Sequence, residues 1–245
     1  MNIFGVTDIG CHRKDNQDSY AIRQLGENAA LLVVCDGMGG AQAGSVASSV
    51  AVETFIASVE AALAGGIPWD LTQREQTLVS ACHEANDRVH RLSLENPEYE
   101  GMGTTLVAAL VQPGAACLVH VGDSRAYELS GGSIRQATVD HSLVQLLVDR
   151  GEITPAEARV HPRKNLITRA LGVDSHVECD VNWLKPEAGS RLLLCSDGLS
   201  NVLEDETILG VSGQQGEAED FCRALLALTL ERGAPDNVTV VLAQL

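Results

Sequence analysis

Four aspartates in this sequence share one local setting. Asp36 follows the apolar run 29–35 and precedes Gly37, and Asp123 follows Cys117 to Val121 and Gly122. Asp197 follows Leu192 to Ser196 and precedes Gly198, and Asp236 precedes Asn237 and the apolar run Val238 to Val241. Each carboxylate therefore sits at the end of an apolar strand, where an unpaired buried charge is costly. One Asp-Gly at a strand end marks a turn; four such aspartates, three of them flanked by glycine, are harder to read that way. Grouped carboxylate oxygens suit hard divalent cations. No His-x-x-x-His or cysteine cluster competes as a zinc site. The glycines of Asp36-Gly37-Met38-Gly39-Gly40 allow tight backbone geometry and leave a carbonyl free to approach an ion. No Gly-Lys-Ser/Thr follows, so the loop is not a phosphate-cradling P-loop. Arg13 lies five residues before Asp18. Its planar fork could grip a phosphate, or it could form a surface salt bridge. The residues alone point to a multi-metal hydrolase with a phosphate-binding arginine.

The elements that must position these groups are legible as apolar patterns. About ten strands are expected, most clearly at 3–9, 18–23, 29–35, 104–111, 116–121, 125–129, 191–195 and 238–244. Gln112-Pro113-Gly114 and Ser130-Gly131-Gly132 are turns too short for parallel crossovers, so neighbouring strands pair antiparallel. Val52, Phe55, Ile56, Val59 and Leu63 form one helical stripe, stopped by Gly65-Gly66. Leu78, Cys82, Ala85, Val89 and Leu92 form a second. Thr154-Pro155-Ala156-Glu157 opens a short helix with a capping box. Ala218, Phe221, Leu225 and Leu228 form a last stripe, ended by Gly233 and Pro235. Antiparallel strands with blocks of helix between them predict an α+β fold with helices packed outside sheets.

Composition sets the frame. The 245 residues carry a formal charge of −16 and are 45% hydrophobic, which reads as one globular domain able to bury roughly 70–75% of its unfolded surface without disulfides. The acidic balance argues against nucleic acid or an anionic membrane as main partner. No run of about 18 apolar residues is seen and no signal peptide opens the chain, so no membrane span and a cytoplasmic location are expected. The seven cysteines, odd in number and without Cys-x-x-Cys, read as buried reduced thiols. His12, His83, His90, His120, His141 and His176 show no metal spacing and read as surface or core histidines. No heptad or apolar stripe demands a dimer, so a monomer is the default.

Arg13-Lys14-Asp15-Asn16-Gln17-Asp18 resembles the opening motif of the protein phosphatase 2C family of metal-dependent Ser/Thr phosphatases. Six more motifs follow in family order: Asp36 to Gly40, Gly101 to Thr105, Val121 to Arg125, Asp140-His141-Ser142, Ser196 to Leu199, and Asp236 to Thr239. They run from residue 13 to 239 and resemble the compact bacterial branch, a single catalytic domain over 1–245 with no appended domain. The resemblance implies a four-layer α-β-β-α sandwich, two antiparallel sheets flanked by helix pairs, with a flap at roughly 141–169. It implies two Mn²⁺ or Mg²⁺ ions bridged by Asp36. Asp197 and Asp236 complete the first ion. The Gly37 carbonyl binds the second, with Asp18 holding its waters. Asp123 with Asp197 holds a third, weaker ion. Arg13 binds the substrate phosphate, and Asn237 orients Asp236 or its waters. A hydroxide bridging the ions would attack the phosphoryl group of phosphoserine or phosphothreonine, reversing a bacterial Ser/Thr kinase. Arg13, Asp36 and Asp197 are thus the expected catalytic residues, and phosphorylated proteins and a cognate kinase the expected partners.

Two positions depart from the pattern. Met38 stands where some relatives carry a histidine proposed to protonate the leaving group, and Ala41 stands where many bacterial relatives carry a histidine. Neither change removes a metal ligand. His161 to Lys164 could contact a phosphopeptide or form a solvated loop. Thr104-Thr105 and Ser124-Arg125 read as support for the cleft. Two other functions remain: a catalytically weak regulatory or binding module, which should have lost ligands, and a small-molecule phosphoesterase on the same fold.

Overall fold

The computed structural model describes residues 1–40, 42–64, 70–213 and 216–245. The expected helix stop at Gly65-Gly66 and the position of Ala41 lie outside the described residues. Among the described residues, eleven strands form two sheets. The first has the order β1 (Asn2–Asp8), β11 (Val238–Gln244), β10 (Arg191–Cys195), β7 (Arg125–Ser130), β8 (Ser133–Gln136). The second has the order β2 (Asp18–Gly26), β3 (Ala29–Met38), β5 (Leu106–Gln112), β6 (Ala115–Val121), β9 (Asp180–Leu184), with the two-residue β4 (Gly103–Thr104) also on β3. Every pairing among the described strands is antiparallel.

The apolar runs are continuous because each central strand is covered on both faces. Along β3, Leu31, Val33 and Cys35 pack towards α1 (Ala43–Ala64) and α2 (Leu71–Glu95). Leu32 and Val34 point the other way, into a layer shared with Leu192, Leu194, Val241 and Ala243 of the first sheet. On that first sheet, Leu193, Cys195, Val238, Val240 and Leu242 turn outward to α6 (Asp205–Ser212) and α7 (Ala218–Glu231). The period of two along each strand thus builds three apolar layers and the α-β-β-α order.

α1 spans 22 residues and is apolar enough to cross a bilayer by length and composition, although the sequence shows no long unbroken apolar run. Its Ala47, Ala51, Phe55 and Val59 are instead fully buried in the layer shared with β3 and α2. The capping box forms as expected on α4 (Pro155–Val160): the Thr154 hydroxyl accepts from Glu157 N, and the Glu157 carboxylate accepts from Thr154 N at 2.8 Å. β8, β9, α3 (Leu143–Asp149), the short α5 (Asp197–Ser200) and α6 are among the elements the apolar patterns do not single out. α3 and α4 fall inside 141–169 and bury no residue. Both ends of that segment are pinned together, with Leu143 N donating to Leu166 O and Thr168 N to His141 O, each at 2.8 Å.

Candidate active site

The inter-sheet layer is apolar along most of its length and turns polar at one edge. Asp18 shares its strand parity with Tyr20 and Ile22, Ser196 continues that of Leu192 and Leu194, and Thr239 that of Val241 and Ala243. The alternation that fills the core therefore delivers a carboxylate and two hydroxyls to the same end. Both hydroxyls, Ser196 Oγ and Thr239 Oγ1, donate to Asp18 Oδ2 at 2.7 Å, while Asp18 Oδ1 is buried without a partner. Asp18 is thus gripped from behind on one oxygen, with the other free.

Asp36 lies directly across from Asp18 in the β2–β3 register. Directly opposed side chains share a face, and opposed like charges are destabilising without a cation. Threonines of the Gly101 to Thr105 motif fix the Asp36 backbone: Thr105 Oγ1 accepts from Asp36 N, and Thr104 Oγ1 donates to Asp36 O, both at 2.9 Å. Ser124 Oγ and Thr105 Oγ1 bond at 2.7 Å and tie in the strand end that carries Asp123. Gly37 is forced by close approach: a Cβ there would stand 2.0 Å from the Gly44 carbonyl oxygen and 2.6 Å from that of Gln17. Gly198 is forced likewise, its Cβ position lying 1.9 Å from the Asn237 carbonyl oxygen.

Asp197 opens α5 directly after β10. Its Oδ2 accepts from Asn201 Nδ2 at 2.8 Å, and its Oδ1 is buried without a partner. Asp123 and Asp197 line one cleft of about 460 Å³, together with Arg159 and Lys164 of the 141–169 segment. Burial first, and mutual repulsion second, raise these carboxyls: Asp18 to about 7, Asp123 to about 8, Asp36 well above its ordinary value, and Asp197 upward too. Asp36 feels Asp18, Asp197, Asp123 and Asp236 in turn, so the five carboxylates form one electrostatic unit.

Arg13 Nη2 donates to Asp236 Oδ2 at 2.6 Å. Asn237 makes contacts beyond the one expected with Asp236. Its side chain accepts from Gln17 N and donates to Ile9 O and Asp15 O, which uses both amide hydrogens. Only its backbone N–H reaches Asp236, at Oδ1. The side chain thus moors the loop that carries Arg13.

A second polar cluster lies beside Asp123. Arg125 clamps Asp140 with two prongs, Nε to Oδ1 at 2.9 Å and Nη2 to Oδ2 at 2.7 Å. His141 Nδ1 accepts from Gly122 N, next to Asp123, and its ring stacks on His120 at 4.7 Å. Asp180 and Arg169 close the group, with Arg169 Nη1 donating to Asp180 Oδ1 at 2.8 Å. His120, His141 and Asp180 present ligand atoms close enough for one metal ion, a grouping that no spacing in the sequence shows. The Gly122 bond places a lone pair on His141 Nδ1 and hence the proton on Nε2, which disfavours a metal there. All seven cysteines are free thiols, but Cys11 is exposed and Cys179 half-buried, against the expectation that all lie inside.

The fit to divalent ions rests on two buried orphan carboxylate oxygens and a repelling acidic set. The family model described as protein phosphatase 2C matches residues 12–243. The serine/threonine protein phosphatase PstP of Mycobacterium tuberculosis is 43% identical over 97% of this chain, which spans 43% of that protein's length. The serine/threonine phosphatase stp of Listeria monocytogenes is 35% identical, over 97% of this chain and 93% of its own. The crystal structure of the PstP catalytic domain in complex with two manganese ions superposes with a TM-score of 0.84 at 40% identity, covering 99% of this chain and 96% of that one. Ordered motifs, sandwich and acidic edge converge, and the chain belongs to the protein phosphatase 2C family.

Proposed function

We propose that the chain is a metal-dependent phosphatase of phosphoserine and phosphothreonine in proteins. The observation that carries this reading is the acidic edge itself: Asp18 and Asp197 each hold a buried oxygen without a partner, within a set of carboxylates that only protons or cations can relieve. The similarity to proteins named as Ser/Thr phosphatases supports the substrate class. Asp36 would bridge two ions, with Asp197 and Asp236 on the first and the Gly37 carbonyl on the second, in front of Asp18. Asp123 with Asp197 would hold a third. The manganese bound by the PstP catalytic domain favours Mn²⁺ here, with Mg²⁺ as the alternative. Divalent ions so held supply Lewis acidity and an acidified water near neutral pH.

The chain's own residues do the rest. Arg13 exchanges Asp236 for the phosphoryl oxygens, where its fork matches the geometry. Asn237 keeps the loop of Arg13 in place. Lys164 and Arg159 bring positive charge to a cleft whose other charged residues, apart from Arg125, are acidic. Met38 has no proton to give, so the leaving oxygen takes its proton from elsewhere in the cleft. We place one catalytic domain over 1–245 with its flap at 141–169. The protein would act as a cytoplasmic monomer that opposes a Ser/Thr kinase.

The test is hydrolysis of phosphothreonine peptides by metal-stripped protein, with and without restored Mn²⁺, for wild type and Asp197→Ala. Turnover that returns with Mn²⁺ and is absent in the variant is expected. No turnover across several phosphopeptides with either Mn²⁺ or Mg²⁺ would sink the reading.

A further inference from the structure

β6 ends at Val121, and Gly122 carries the chain on to Asp123. Gly122 has a φ of +102°, and a Cβ there would stand 2.6 Å from Thr105 Cγ2, so only glycine fits. A glycine has no side chain with which to fix its own conformation. His141 fixes it from outside. The His141 backbone N–H donates to Gly122 O at 2.9 Å, and the Gly122 N–H donates to His141 Nδ1 at 3.2 Å. One residue thus takes both backbone polar groups of the glycine that precedes Asp123. The neighbour of His141 acts on the other side: Asp140 receives Arg125, two residues beyond Asp123.

The ring of His141 is itself held. The register of β6 and β9 sets His120 directly opposite Asp180, and opposed residues share a face. His120 stacks on the His141 ring with centres 4.7 Å apart, and Asp180 sets its Oδ2 3.4 Å from His141 Nε2. Both supports are tied in turn. His120 Nε2–H donates to Val139 O at 2.8 Å, and Arg169 Nη1 donates to Asp180 Oδ1 at 2.8 Å. With Nδ1 accepting from Gly122, the Nε2 of His141 carries the proton and turns it to Asp180. His141 also stands at the root of the flap, where its carbonyl accepts from Thr168 N at 2.8 Å.

We propose that His141 is a positioning residue for Asp123: from the root of the flap it fixes the strand end that presents this carboxylate to the third ion. The proposal rests on the reading of Asp123 and Asp197 as the holders of that ion. In this part His141 touches neither ion nor phosphate, because its Nδ1 is spent on Gly122 and its Nε2 faces Asp180. A partner one bond removed from a ligand sets the ligand's aim, and its loss costs roughly 10–100-fold in metal affinity or activity. The two ring nitrogens can be replaced separately. Asparagine places an amide oxygen where Nδ1 stands, and glutamine places an amide nitrogen where Nε2 stands.

The test titrates the whole folded protein with Mn²⁺, by calorimetry and by the paramagnetic resonance signal of free Mn²⁺, for wild type, Asp123→Asn, His141→Gln, His141→Asn and Asp180→Ala. Asp123→Asn should lose the weakest ion. His141→Gln should weaken that same ion by roughly 10-fold or more and leave the tighter ions in place, with kcat for a phosphopeptide recovered at saturating Mn²⁺. His141→Asn should regain most of the affinity, because it keeps the acceptor for Gly122. Asp180→Ala, at a side chain 46% exposed, should show a smaller loss in the same direction. Unchanged affinity for the weakest ion in His141→Gln, or in Asp180→Ala where the His141 variants do not fold, would overturn the proposal. So would an equal loss at every ion with a lower metal-free Tm, which is general loosening, or an asparagine variant no better than the glutamine one. If wild type binds no third ion, or Asp123→Asn keeps it, the reading of Asp123 fails and takes the proposal with it, a result seen without any His141 variant.

Discussion

Arg13 and Asp236 form a close ion pair whose side chains are 51% and 28% exposed. At that exposure such a pair contributes about 0–1 kcal/mol to stability, so its geometry has to be judged by what the arginine does for a phosphate. Arg13→Ala is expected to lower kcat/KM for a phosphopeptide roughly 100-fold at saturating Mn²⁺ while leaving Tm nearly unchanged, and Arg13→Lys to recover only part of the loss, because an ammonium lacks the fork. Steady-state kinetics and a thermal melt separate the two effects; a large fall in Tm with little kinetic change would make Arg13 a structural residue. Asp36 inverts the pattern. Asp36→Asn removes the carboxyl that faces four others, so turnover is expected to fall by about 1,000-fold or more. The metal-free protein should melt higher than wild type, because the like-charge repulsion is relieved. The four strand-end aspartates are legible in the sequence because each ends an apolar run. The stack of His120 on His141 and their contact with Asp180 are not, because residues 120, 141 and 180 meet only through pairing of β6 with β9 and the return of the flap.

At the level of elements, the site depends on strand ends meeting to within an atom. β3 and the start of α1 approach so closely at Gly37 and Gly44 that no side chain fits between them. Gly37→Ala is expected to cost about 2–3 kcal/mol by overpacking, a fall in Tm of roughly 4–12 °C for a domain of this size, with apparent Mn²⁺ affinity weakened as Asp36 shifts. Calorimetry and a Mn²⁺ titration of activity check both; an unchanged melt would mean that the backbone there yields easily. The central strands were readable because burial on both faces leaves unbroken apolar runs such as Ala30 to Cys35. β8 and β9 lie at sheet edges and carry mixed residues such as Arg135 and Asn182, so no run marks them. α3 and α4 bury no residue; α4 is legible by its cap alone, whereas on α3 the Gln145 side chain at the third helical position bonds forward to Asp149 Oδ1 rather than back to its cap, so no reciprocal box forms. α5 is a single turn whose first residue is a site aspartate, too short to show any period.

For the molecule as a whole, the acidic edge couples folding to protons and to cations. Without metal, the folded protein holds protons on Asp18 up to about pH 7 and on Asp123 up to about pH 8, whereas an unfolded chain releases them near pH 4. The native state then binds more protons than the unfolded state across that range, so stability falls as pH rises through it. His120 and His141 act in the opposite sense. Burial lowers their folded pKa below 6.5, so their contribution is lost as pH falls below that value and is constant above it. The carboxylates are therefore isolated between about pH 6.5 and 8. In EDTA, Tm is expected to drop steadily across that window. Mn²⁺ takes the place of the protons, and a ligand that binds only the folded state stabilises it by an amount that grows with the logarithm of its affinity. The gain in Tm from Mn²⁺ should consequently grow from pH 6.5 to pH 8. Paired melts in EDTA and in Mn²⁺ at several pH values measure both slopes. A metal-free Tm that rises with pH there would show that the carboxylates are already ionised and held by something other than cations. Parallel melting curves at every pH, with and without Mn²⁺, would show that the cations do not compete with these protons at all.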